Sequence, residues 1–130
     1  MQKFHTFLMF VGSHLGQAEE AMKFYTSLFP DSSIKEVHRN QKNPKFIDHA
    51  VFVLLGEEFM ASDSDANHQF TFTPAISIAI QCADVAEIDR VTAKLVEGGK
   101  FLMPLDNYGF SKKFAWVEDK YGVSWQINLP

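Results

Sequence analysis

The feature that most constrains this chain is that one pattern of elements is written in it twice. Residues 4–11 are an apolar run rich in Phe and closed by Gly12, which reads as a buried strand. Ala18, Ala21, Met22 and Tyr25, then Leu28 and Phe29, recur at helical spacing and make one apolar helix face. Glu19 and Glu20 sit in the first turn of that helix, where the macrodipole favours carboxylates, and Pro30 with the Asp31-Ser32-Ser33 turn stops it. Residues 34–37 read as a short strand and 38–45 as a polar loop. Residues 46–55 read as a strand, Gly56-Glu57-Glu58 as a hairpin turn, and 59–62 as the returning strand.

After a polar connector over residues 63–74 the order begins again. Ile76, Ile78 and Ile80 alternate with Ser77, Ala79 and Gln81, a strand with two unlike faces. Asp84 is a candidate N-cap with Glu87 as its capping-box partner, and Val85, Ile88, Val91 and Leu95 form the apolar face of a second helix that Gly98 and Gly99 end. Strands follow at 101–104, 114–118 and 123–129, the last two joined through Asp119-Lys120-Tyr121-Gly122. The two helices are offset by roughly 68 positions, which points to duplication of one structural unit. A lone unit of about 60 residues would leave one sheet face open. The expectation is therefore an α+β domain over residues 1–130, with one βαβββ module at about 1–65 and another at about 74–130.

Composition narrows the functions. The chain of 130 residues is long enough to bury a core unaided, and its net charge of -4 with no basic stripe argues against nucleic acid as a partner. No apolar run approaches the roughly 20 residues of a membrane span, and the N-terminus does not read as a signal peptide. The single cysteine, Cys82, excludes an internal disulfide framework, fits a reduced compartment, and reads as a small buried residue. A cytoplasmic protein is expected. The 13 Phe residues have two uses open to them, a Phe-rich core or the lining of an apolar pocket.

The element order resembles that of vicinal oxygen chelate proteins, which include glyoxalase I and the fosfomycin resistance enzymes. Several stretches resemble the PhnB-like group, which carries the domain name 3-demethylubiquinone-9 3-methyltransferase. These are residues 18–25 (AEEAMKFY), His49-Ala50 before a strand, residues 60–63 (MASD), Met103-Pro104-Leu105, and residues 119–125 (DKYGVSW). The resemblance covers nearly the whole chain and implies a curved mixed sheet around a central cavity. It also implies a homodimer, because pockets in this fold are often completed by a second chain. The methyltransferase name finds no counterpart in the residues, since no glycine cluster forms a cofactor loop between a strand and a helix, and Gly98-Gly99 follows a helix.

In the superfamily each module gives inward-facing ligands from its first and last strands to one divalent metal, which polarises an oxygen-rich substrate. Carried over residue by residue, this implies His5 on the first strand and Gln126 on the last, with zinc, nickel or manganese as the metal. Ser77 stands where a second His is expected, and the first module's last strand offers Met60 or Ser62, so the set is poor in strong ligands. His49 occupies a position that the PhnB-like group often fills with His, and Asp63 follows the partner strand. The two are a candidate His–carboxylate pair, set against an ordinary strand-end histidine. Tyr108, Phe110 and Trp116, with Gly109 in a possible lid over 106–113, are candidates for the pocket, while Trp125 is expected in the core. Three readings compete: a small-molecule binding protein with an aromatic-lined cavity, a divalent-metal enzyme of lyase, isomerase or transferase type, and a dimeric scaffold. The weak ligand set and abundant aromatics favour the first.

Overall fold

The structure is a computed structural model that describes residues 3–130, so the first two residues of the expected first module lie outside the described residues. Two compact units meet in sequence between Thr71 and Phe72. In each, a four-stranded mixed sheet carries one long helix, which is the βαβββ order in duplicate and an α+β fold.

The first module contains β1 (Thr6–Phe10), α1 (Ala18–Leu28), β2 (Ser33–Arg39), β3 (Ile47–Leu54) and β4 (Glu57–Asp63), with a short 3-10 turn at Gly12–His14. Its strand order is β1-β4-β3-β2: β1 lies parallel to β4, and the other pairs are antiparallel. Ala18, Ala21, Met22, Tyr25 and Leu28 are the buried stripe of α1, as their spacing requires, and α1 packs on β2, β3 and β4. The helix ends at Leu28 and Phe29 turns extended, because the residue before a proline is disfavoured in the helical region.

The β3–β4 turn differs from the expectation. It is the two-residue Leu55-Gly56, with φ of +50° and +80°, and Glu57 and Glu58 belong to β4. Two successive positive-φ residues match the right-handed strand twist of a tight hairpin, and that geometry prevailed over the polar character of the two glutamates. β2 is likewise longer than expected and includes His38 and Arg39.

The second module contains β5 (Ile78–Gln81), α2 (Val85–Val96), β6 (Lys100–Asp106), β7 (Lys113–Glu118) and β8 (Ser124–Leu129), in the order β5-β8-β7-β6. Again the first and last strands are parallel neighbours. The Asp84 carboxylate accepts the Glu87 N–H at 2.8 Å, so the N-cap written in the sequence forms, while Glu87 accepts the Ala83 N–H at 2.7 Å, one residue further back than a capping box requires. Ile88, Val91, Thr92 and Leu95 face inward against β7 and β8. Gly99 crosses so close to the β7–β8 turn that a Cβ there would lie 2.1 Å from the Glu118 carbonyl oxygen.

The strands at one edge of each sheet, β2 and β6, are both irregular. β2 shifts register between Ile34 and Glu36 and between His38 and Arg39, and β6 shifts between Phe101 and Met103 and between Met103 and Asp106. β6 also carries Pro104, which has no N–H to donate. Among the described residues no helix is long and apolar enough to cross a membrane.

Candidate functional site

Side chains alternate across a pleated strand, so the register assigns each residue to the face under the helix or to the opposite, open face. In the first module Leu8, Phe10, Ala50, Phe52, Phe59 and Ala61 share the helix face, and most are fully buried. Phe7, Met9, Glu36, His38, His49, Val51, Glu58, Met60 and Ser62 share the open face. Phe7 is 46% exposed there, so part of the Phe content serves the surface, while Phe10, Phe29 and Phe52 serve the core.

His5 precedes β1. Its Nε2 lies 3.1 Å from Glu58 Oε1, and the ammonium of Lys35 donates to Glu58 Oε2 at 3.0 Å. Lys35 reaches this carboxylate from the bulged position of β2, where one extra residue turns the chain. The Lys35 bond, then the His5 bond, hold the Glu58 carboxyl below its ordinary range. The three side chains line an open, polar cleft of about 920 Å³ that also takes in Lys3, Asp31 and Ser33. Sequence reasoning did not single out Glu58, because the hairpin turn was placed over it.

His49 and Asp63 stand on opposite faces of the first sheet, since Ala50 pairs with Ala61 and the faces alternate on either side. Asp63 is buried. Its Oδ1 accepts the N–H groups of Gly16 at 2.8 Å and Ala18 at 3.3 Å, and its Oδ2 accepts that of Ile47 at 2.9 Å. The N-cap residue of α1, Gln17, makes no side-chain capping bond, so the carboxylate at the end of β4 caps this helix from a distant part of the chain. His49 instead stands directly opposite His38 on β2, with ring centroids 6.2 Å apart. The Phe7 ring lies 6.2 Å away on its other side. Glu36, two residues before His38, places Oε2 3.6 Å from His38 Nε2. One donor atom from each of Glu36, His38 and His49 lies within 4.8 Å of the other two. Neither Glu36 nor His38 was singled out from the sequence. The available signal was their i, i+2 spacing, which is legible only once residues 38–39 are read as strand.

In the second module Trp125 and Ile127 face α2 and are buried, whereas Gln126 lies half-buried on the open face between Ala79 and Trp116. Trp116 donates its ring N–H to Ser124 Oγ at 2.8 Å, and Ser124 Oγ lies 2.6 Å from Ser77 Oγ, so three side chains form one polar chain. No hydrogen bond to another described residue engages the Gln126 amide. Phe114 stands opposite Asn128 on this same face. Phe110 packs edge-on to it at 5.1 Å and Tyr108 at 6.1 Å, while the Tyr108 hydroxyl donates to the Pro104 carbonyl. Both Tyr108 and Phe110 are exposed. Trp125, by contrast, donates its ring N–H at 2.9 Å to buried Asp119, whose other oxygen accepts from Tyr121 and Val123. Cys82 is buried, and desolvation pushes its thiol up to about 11, which leaves it a protonated packing group and not an activated nucleophile.

These placements bear on a metal held by first and last strands. His5 is engaged by a carboxylate that already balances an ammonium, Ser77 is tied to Ser124, and Gln126 offers a neutral amide from the other module. One engaged imidazole, a hydroxyl and an amide do not fit a divalent cation.

Comparison with known proteins agrees with the fold. The family model described as 3-demethylubiquinone-9 3-methyltransferase matches residues 2–128. A solved PhnB protein of Bacillus cereus bearing the same methyltransferase name is 53% identical, with 99% of this chain and 100% of that one covered and a TM-score of 0.93. Protein PA1353 of Pseudomonas aeruginosa is 24% identical over 99% of this chain and 98% of its own, with a TM-score of 0.83. The fosfomycin resistance protein FosX of Listeria monocytogenes, solved with Mn(II) and 1S,2S-dihydroxypropylphosphonic acid, has a TM-score of 0.62 at 12% identity, covering 98% of this chain and 92% of that one. A search of curated proteins finds no match. The duplicated module gives this chain the fold of FosX and of a glyoxylase/bleomycin resistance protein/dioxygenase domain from Frankia sp.. The chain belongs to the PhnB-like 3-demethylubiquinone-9 3-methyltransferase family, a description that names the domain and not a reaction.

Proposed function

We propose that this protein binds a small oxygen-bearing molecule on the open face of its second module, without metal-assisted catalysis at His5 and Gln126. The observation that carries the reading is the Gln126 amide. It is half-buried, has no hydrogen-bond partner among the described residues, and lies beside a Trp116 ring whose own N–H is anchored on Ser124. An amide offers both donor and acceptor to a ligand, and an aromatic wall supplies apolar area at low entropic cost. Tyr108 and Phe110 extend that wall through Phe114. The open face of the first module, with Phe7, Met60 and His49, is a second apolar surface with a polar edge. The family resemblance adds a homodimer, and the single buried cysteine suits a reduced, cytoplasmic setting.

The test is a thermal-shift screen with small hydroxy acids and phosphonic acids, the latter being the class bound to Listeria FosX. A ligand that raises the melting temperature of the wild-type protein is expected to lose that effect in Gln126→Ala and Trp116→Ala. An equal shift in the double variant would overturn the assignment of this face.

A further inference from the structure

We propose that Glu36, His38 and His49 form a binding site for a borderline divalent cation of the zinc class on the open face of the first module. The site uses the second and third strands of the module, and it does not depend on the ligand-binding reading of the second module.

The donor set suits the cation. Two imidazoles and one carboxylate are zinc-type ligands, and three protein donors leave a position open to water or to an oxygen of another molecule. The geometry is nearly in place. His38 and His49 are directly opposed on adjacent antiparallel strands, and Glu36 shares their face two residues away. Their donor atoms already lie within 4.8 Å of one another, whereas tetrahedral zinc with bonds of about 2.0–2.1 Å requires separations of about 3.4 Å. Side-chain rotation closes that gap. The side chains of His38 and Glu36 are 66% and 59% exposed and free to turn, while His49 is held between the His38 and Phe7 rings.

The backbone around the site is shaped on both sides. One register shift precedes Glu36 and another follows His38, and bulges of this kind re-aim side chains. The first brings Glu36 onto the face that His38 occupies. The flanking cations have other partners: the Lys35 ammonium is on Glu58 and the Arg39 guanidinium is on Glu19 at 3.0 Å. Neither competes for the Glu36 carboxylate, whose ion-pair-range neighbour among the described residues is the His38 imidazole.

The experiment is calorimetric titration of tag-free, chelator-treated full-length protein with zinc chloride alone, followed by cobalt substitution and its visible absorption. One equivalent of zinc is expected to bind. His38→Ala and His49→Ala are each expected to weaken it at least about tenfold, with Glu36→Gln weakening it less, and His5→Ala leaving it unchanged. Circular dichroism of each variant confirms folding, which the surface positions of Glu36 and His38 favour. Absence of saturable zinc binding by the wild type overturns the proposal. So does one equivalent retained by the His38→Ala/His49→Ala variant, or lost in a folded His5→Ala protein, because the cation would then sit elsewhere.

Discussion

A carboxylate at the end of β4 satisfies three backbone donors at once, and this makes Asp63 a structural centre of the first module. Replacing it by Ala strands those donors at the start of α1 and at the entry to β3. Asp63→Ala is expected to lower unfolding free energy by about 3 kcal/mol, read from urea denaturation, since hydrogen bonds to a charged acceptor are the stronger ones and two of the three N–H groups left behind, those of Ala18 and Ile47, are buried. Cys82 supplies a second residue-scale expectation. Its thiol is raised by burial from an ordinary 9.0 to about 11, so the folded state holds its proton longer than the unfolded one. The associated stability is fully present below pH 9.0 and is lost as pH rises toward about 11. Alkylation by iodoacetamide at pH 8 is expected to be at least about tenfold slower in the folded protein than in urea, because the reactive thiolate is scarce and enclosed. Sequence alone identified Cys82 as buried, but it could not assign Asp63 to a helix start 45 residues earlier. Spacing in the sequence reports neighbours along a helix or strand, not an acceptor delivered from another strand.

At the scale of elements, the periodic segments were the legible ones. Both helices were readable from their apolar stripes, and the Asp84–Glu87 cap of α2 from its three-residue spacing. Turn geometry was harder to read, because Leu55 is an unusual choice for a positive φ and Glu57-Glu58 resembles a turn in composition. The misplaced turn concealed Glu58, and the short reading of β2 concealed the opposition of His38 and His49. Leu55 at φ +50° is held in the left-handed region, where a side chain clashes with the following carbonyl. Leu55→Asn keeps the tight turn and eases that clash, and is expected to raise stability by about 1 kcal/mol in thermal or urea unfolding. Gly99→Ala has the opposite sign, because the added carbon would lie 2.1 Å from a backbone oxygen that cannot move without opening the β7–β8 turn.

For the whole molecule, duplication was the strongest message of the sequence, and each copy repeats the pairing of its first strand with its last. The copies diverge in what their open faces carry: ionisable groups in the first module, a tryptophan, serines and an amide in the second. The two depressed carboxyls both belong to the first module, Glu58 on the open face and Glu19 in the first turn of α1. Glu58 and Glu19 are both held below the ordinary carboxylate value of 4.5, chiefly by hydrogen bonds from Lys35 and Arg39 respectively. A depressed carboxyl stabilises the fold above its unfolded value and loses that contribution as pH falls through the folded one. Glu58→Gln and Glu19→Gln are therefore expected to flatten the loss of melting temperature below pH 4.5, and an unchanged acid limb would show that these pairs contribute nothing to stability. The broken register of β2 and β6 has a further consequence. A regular, unpaired strand at a sheet's border is a template on which another chain can crystallise as a fibre. At β2 that border is bent twice and carries charges of both signs, and at β6 it is bent twice and interrupted by Pro104. Neither of these two strands offers a straight ladder of free amides to a stranger, so the irregularities that aim Glu36 and His38 outward also discourage another copy of the chain from pairing there.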